Sequence, residues 1–220
     1  MPGMYNLLVI TAQNIDVATT GWSLWLVPPP DSKVDKVLAK LITTTIPTIL
    51  PQLGPVPDFA PHVTLTSLID PSIITPDPQT WLDNLKLTHC EDVRIRFNNL
   101  VTEPKFFKRL IIRCERDPGL FCIAKACRKF GVEGGDHAKA GKWLNAEYDP
   151  HCSLMYSEKE VTDEMMDTVR RKASEGIALM KEGTKFIEEK PCVGWVGGEI
   201  WLVPTDKKIE EWKPVARRKV

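Results

Sequence analysis

Along this chain, short β-prone apolar runs stopped by proline predict strands, and stretches with apolar residues three and four apart predict the helices between them. Two such strand runs, "SLWLVPPP" (23–30) and "EIWLVPTD" (199–206), echo one another near opposite ends. From Asp31 towards Leu50, Val34, Val37, Leu38, Leu41 and Ile42 share a helical face, with Asp31 or Ser32 as N-cap and Pro47 expected to end the helix early. A strand at "PHVTLTS" (61–67) follows, and then a proline-rich connection that turns helical at "TWLDNLKL" (80–87). The second half repeats the order: "RLIIRCE" (109–115) reads as a strand, "GLFCIAKACRKFG" (119–131) as a helix closed by glycine, and "PHCSLMYS" (150–157) as a strand. "SEKEVTDEMMDTVRRKASEGIALMKE" (157–182) is a longer helix, acidic early and basic later as the helix dipole favours. "KFIEEK" (185–190) and "GWVGGEIWLVP" (194–204) read as closing strands. The glycine- and lysine-rich 131–149 reads as a solvated loop, or a lid over a phosphate; Trp143 after Gly141-Lys142 breaks the P-loop pattern.

Strand, helix, strand, written twice, predicts an α+β fold. Its two pseudo-symmetric lobes would line a central cleft with antiparallel sheets and carry helices outside. Residues 1–20 read as an amino-terminal extension, and 21–220 as the bilobal domain, its lobes exchanging terminal strands. At 43% hydrophobic and 26% charged residues the chain can bury a full core. Its formal net charge of zero supplies no global field for a long nucleic acid. No run approaches the roughly 18 apolar residues of a membrane span, and residues 1–20 lack a signal peptide's basic start and cleavage site. The expectation is a soluble intracellular monomer. Six scattered cysteines form no C-x-x-C pair or zinc spacing, so free thiols are expected, with Cys122 and Cys127 on a helix.

The chemistry lies in the repeated Pro-His-x-(Thr or Ser)-Leu. On a strand, residues two apart share a face, so His62, Thr64 and Thr66 point one way and Val63 and Leu65 the other. His151, Ser153 and Met155 repeat this. A lone histidine beside threonine is usually structural; two copies with the same flanking proline and leucine, in a chain with four histidines, are hard to attribute to chance. His89 and His137 lack that context. Halves related by a two-fold axis would bring His62 and His151 to one cleft with two hydroxyls between them. One imidazole could then take a proton from water attacking phosphorus while the other protonates the departing oxygen. Thr64 and Ser153 could donate to the phosphate oxygens. Such a site needs no cofactor, and the motifs contribute no third ligand for a metal.

"PHVTLTS" and "PHCSLMYS" resemble the paired H-x-(T/S) signature of the two-histidine phosphoesterase superfamily, most closely its fungal and plant cyclic phosphodiesterases. "SLWLVPP" is similar to that family's S-x-W-x-x-P first strand, "HCSLMY" to its H-x-S-L-x-Y, and "FFKRLIIRCE" (106–115) and the Trp212 region to later segments. The resemblance runs from about Trp22 to the carboxyl terminus. It implies hydrolysis of ADP-ribose 1'',2''-cyclic phosphate to ADP-ribose 1''-phosphate and of nucleoside 2',3'-cyclic phosphates to 2'-phosphates, as in tRNA splicing. It implies His62 and His151 as acid and base, Thr64 and Ser153 as phosphate donors, and Tyr156 and Trp25 as pocket aromatics. Tyr156 lies an odd step from His151, so only a strand end or bulge would turn it into the site. The expected ligand is a small cyclic-phosphate nucleotide and the expected location the cytoplasm, with peripheral association with Golgi endomembranes as the alternative. A 2'-5' RNA ligase-like protein and a non-catalytic nucleotide or RNA-end binding module are the alternatives.

Overall fold

The computed structural model describes residues 21–87, 93–181 and 194–220. The extension 1–20, His89 and the expected strand at 185–190 lie outside the described residues. The strands are β1 (Trp22–Val27), β2 (Val63–Ile69), β3 (Arg94–Val101), β4 (Leu110–Cys114), β5 (His151–Met155), β6 (Gly194–Val196), β7 (Glu199–Val203) and β8 (Ala216–Lys219). They form one antiparallel sheet in the order β6-β3-β4-β5-β2-β1-β7-β8. Helices α1 (Lys33–Lys40), α2 (Ile46–Ile49), α3 (Pro78–Asp83), α4 (Pro118–Gly131), α5 (His137–Ala146) and α6 (Asp163–Lys181) accompany it. The α+β class with antiparallel strands is thus the one expected, and the sheet has a two-fold logic. β1-α1-β2 and β4-α4-β5 are equivalent units that meet where β2 pairs with β5. β7 and β8 complete the first half; β3 and β6 complete the second.

The strands' alternation separates the sheet into two faces. Leu24, Leu26, Val63, Leu65, Leu110, Ile112, Cys152 and Leu154 belong to the large buried core, to which Leu38 of α1 and Leu120, Ile123 and Cys127 of α4 also contribute. Trp25, Val27 and Val203 alternate with them along β1 and β7, and form a smaller cluster backed by Trp201 and Trp212. The histidine-bearing positions share this second face, opposite the large core.

One continuous segment connects the sheet's two ends. β6 pairs with β3 through Val196 and Arg94, yet β7, three residues on, pairs with β1 through Glu199 and Val27. The crossing is made by Gly197 and Gly198, at φ 65° and 119°. A Cβ on Gly198 would run into the Val27 carbonyl oxygen, and one on Gly197 would lie 2.8 Å from that of Val220. Glycine is required here for both conformation and space.

Four expectations about helices change. Pro47 does not end the first helix, because residues 41–45 form a π-turn in which Ile46 N–H reaches back to the Leu41 carbonyl. The bulge starts a fresh turn, α2, and places Pro47 where no intrahelical N–H is needed. The expected loop at 131–149 contains α5, capped by the Asp136 side chain on the N–H groups of Ala138 and Lys139 and anchored by buried Ala140 and Leu144. α6 starts at Asp163 rather than near Ser157, whose hydroxyl instead accepts from Lys159 N–H in a local turn. α3 starts earlier, at Pro78 behind the Asp77 cap, and stops at Asp83.

Replacing Gly198 by alanine should cost about 2–4 kcal/mol, since strain and steric conflict add there. Gly134→Asn, at φ 58° with open space around it, should change stability little, because asparagine tolerates the left-handed region. Urea denaturation of both variants checks this; equal midpoints would contradict the role given to the glycine crossing.

Candidate active site

β2 and β5 run antiparallel with Val63 directly opposite Cys152. Continuing that register sets His62 opposite Ser153 and Thr64 opposite His151. Each histidine therefore faces the hydroxyl residue of the other motif, not its own. All four lie on the face opposite the core, since Val63 and Cys152 between them are wholly buried. His62 and Ser153 are buried; His151 and Thr64 are half-buried.

The proline before each histidine belongs to the same device. His62 Nδ1 lies 2.7 Å from the Ala60 carbonyl oxygen, and His151 Nδ1 lies 2.7 Å from that of Asp149. A carbonyl can only accept, so in each ring Nδ1 carries the hydrogen and Nε2 is the basic nitrogen. Proline between acceptor and histidine restricts the backbone before it to extended conformations, which repeats the geometry in both motifs.

Aromatic rings wall the site. Trp25, paired across strands with Thr64, stacks on His62 with centroids 3.7 Å apart and planes 9° from parallel. Phe59 meets His62 edge-on and stacks on Tyr156 at 4.0 Å. β5 ends at Met155, so Tyr156 is the first residue released from the pleat, and its buried ring also meets Phe107 edge-on. The strand end supplies the turn that an odd step demanded. Ser153 Oγ donates to the Phe107 carbonyl oxygen at 3.0 Å, so in this state it serves the scaffold. Trp212 spans the halves, stacked on Phe107 and edge-on to Trp25. The site residues expected from sequence, His62, His151, Thr64, Ser153, Tyr156 and Trp25, thus lie together. Phe59 and Phe107 were not anticipated as site walls; the adjacent aromatics of "FFK" were the visible signal for the second.

Burial dominates the electrostatics. It pushes the His62 imidazole down from 6.5 to about 4, against the Ala60 hydrogen bond, and the charge of His151 lowers it further. His151 is also lowered, first by burial and then by Lys108, against the raising effects of the Asp149 carbonyl and the Asp149 and Glu103 carboxylates. Burial raises the Tyr156 phenol well above its ordinary value, keeping it a neutral donor. Among the described residues no group of three or more His, Cys, Asp or Glu is placed to hold a metal ion, and no helix is long and apolar enough to cross a membrane. Cys114 and Cys152, both buried, are free thiols.

Residues 20–220 match the family model described as cyclic phosphodiesterase-like protein. The chain belongs to that family. Relatives named 2',3'-cyclic-nucleotide 3'-phosphodiesterase include one from Neurospora crassa, 36% identical over 211 residues, or 90% of this chain and 98% of the relative. One from Phaeosphaeria nodorum is 36% identical over 206 residues, covering 91% and 99%. A more distant relative from Saccharomyces cerevisiae is 25% identical over 158 residues, covering 62% and 64%. Membership in the cyclic phosphodiesterase-like family thus spans the described sheet and both histidine motifs.

The lowered His62 value fixes a sign for stability. The unfolded chain binds this proton near pH 6.5 and the folded chain only near 4, so stability is fully present above 6.5 and declines as pH falls towards 4. The loss amounts to roughly 3 kcal/mol for this fully buried group, with His151 adding in the same direction. Urea midpoints measured at pH 7.5 and pH 4.5 should therefore fall less in His62→Gln than in wild type. An equal fall in both would contradict a buried neutral His62.

Proposed function

We propose that the protein hydrolyses nucleoside 2',3'-cyclic phosphates to 2'-phosphates, with His62 and His151 as its acid/base pair. The observation that carries this reading is the crossed register: two histidines with tied Nδ1 atoms and basic Nε2 atoms, each facing the other motif's hydroxyl residue. The activity for which the relatives are named adds support.

The cyclic phosphate would sit between the imidazoles. One Nε2 takes a proton from water as its oxygen bonds phosphorus; the bond from phosphorus to O3' breaks, and the other imidazole, protonated at Nε2, gives its proton to that oxygen. The products are a 2'-phosphate and a free 3'-hydroxyl, with one proton moved from one ring to the other. Thr64 donates to a non-bridging oxygen. Ser153 does so once its hydroxyl leaves the Phe107 carbonyl, a rotation that costs one neutral hydrogen bond and gains a charge-assisted one. Trp25 holds the His62 ring in plane, and Tyr156, stacked on Phe59, closes the pocket beside it. The sugar and base meet an aromatic surface that includes Trp212 and Phe107. ADP-ribose 1'',2''-cyclic phosphate presents the same five-membered cyclic diester, and we extend the proposal to its opening to the 1''-phosphate and to the processing of tRNA-splicing products.

His62→Ala and His151→Ala should each lower turnover of a 2',3'-cyclic nucleotide by about 10²- to 10⁴-fold, with the double variant falling less than the product. Activity should survive excess EDTA, and the product should be the 2'-isomer. Because both imidazoles are lowered, the acid limb of kcat/KM against pH should lie below 6.5, the value of free imidazole. Binding without turnover would favour a nucleotide-binding module; near wild-type turnover in either folded histidine variant would overturn the proposal.

A further inference from the structure

The two motifs repeat the same contact, a carbonyl two residues back on Nδ1, but differ in what surrounds each histidine. Continuing the β1/β2 register from Leu26 and Val63 sets apolar Val27 beside His62, whereas across β4 the partner of His151 is Arg113. Arg113 Nη1 lies 3.2 Å from Asp149 Oδ1, and its Nη2 lies 2.6 Å from Glu103 Oε1. Lys108 Nζ donates to the other Asp149 oxygen at 2.7 Å. Burial works to raise the Asp149 carboxyl, yet Lys108 and Arg113 hold it below the usual carboxylate range. Asp149 is also the residue whose carbonyl takes the Nδ1 hydrogen of His151. The counterpart, Ala60, offers His62 the same carbonyl with no side chain to clamp.

We propose that Asp149 is a positioning residue, which uses its ion pairs with Lys108 and Arg113 to fix the carbonyl that orients His151 and so makes the two histidines chemically inequivalent. The proposal rests on the reading of His62 and His151 as the acid/base pair. The charged and titratable groups facing His151 are Asp149 in its own lead-in, Lys108 and Glu103 from the β3–β4 connection, Arg113 from β4, and His62 across the site. In the structure they balance, two cations against two carboxylates. Removing one member leaves its partner uncompensated, and the sign of the change at His151 then depends on which member was removed.

The test is an NMR titration of the ¹⁵N-labelled histidines in the full chain. In Asp149→Asn the uncompensated Lys108 should make His151 take up its proton at lower pH than in wild type. In Lys108→Met the uncompensated carboxylate should move it to higher pH, and the double variant should return towards wild type. His62 should move less than His151 in each. With a 2',3'-cyclic nucleotide, Asp149→Asn should lose about tenfold in kcat/KM, as outer partners of functional histidines commonly do, and through kcat rather than KM. Unmoved His151 titration, or shifts of the same sign in both single variants, would overturn the inference. Should Asp149→Asn fail to fold, Lys108→Met decides alone: an upward shift supports the role and none refutes it. The titration needs no substrate. Opposite shifts in a protein that opens no cyclic phosphate would therefore overturn the proposed reaction while leaving the inequivalence of the two histidines standing.

Discussion

The antiparallel pairing of β2 with β5 is the constraint on which the site depends. Two copies of one motif, laid antiparallel about Val63 and Cys152, bring each histidine to the other copy's hydroxyl residue. A one-residue slip of either strand would put that strand's apolar residues on the site face and bury its imidazole in the core. Packing on the helix face therefore enforces the geometry on the other. Cys152 and Val63, both wholly buried, fix the register that places His62 and His151.

The rest of the fold supports that pairing. β1 and β4 flank the central strands and carry Trp25 and Arg113, which set one apolar and one charged environment for two otherwise equivalent rings. The Gly197-Gly198 crossing links the far ends of the sheet, and the stretch after β7 brings Trp212 over both halves. Burial has an electrostatic cost, visible in the lowered imidazoles. Stacking on Trp25 and the carbonyl bonds to Ala60 and Asp149 offset it by holding the neutral rings in one tautomer.

How far the sequence speaks depends on how local each feature is. The histidines and their hydroxyls were legible because a strand's period of two and a repeated pentapeptide are local patterns. Tyr156 was legible only as a condition, since the end of β5 at Met155 is set by tertiary packing of the residues beyond it. Phe59 and Phe107 come from segments between strands, and their approach to the site is likewise decided by packing. The ion-pair network around Asp149 unites residues from β4, the β3–β4 connection and the lead-in to β5, so no window along the chain contains it. α5 was hidden by composition: glycine and lysine suggested a loop, while the Asp136 cap and the Ala140 and Leu144 spacing held the helical signal. β3 went unread as well, its exposed Asn98 and Asn99 interrupting the strand pattern.

Whether the crossed motifs form one phosphate site can be seen in a crystal structure with a nucleoside 2',3'-cyclic vanadate, whose five-coordinate centre imitates the transition state. Vanadium should lie between the two imidazoles, with His62 Nε2 and His151 Nε2 on the two axial oxygens and Thr64 and Ser153 on the equatorial ones. Vanadate held by a single histidine, or bound away from the β2/β5 crossing, would contradict the shared site.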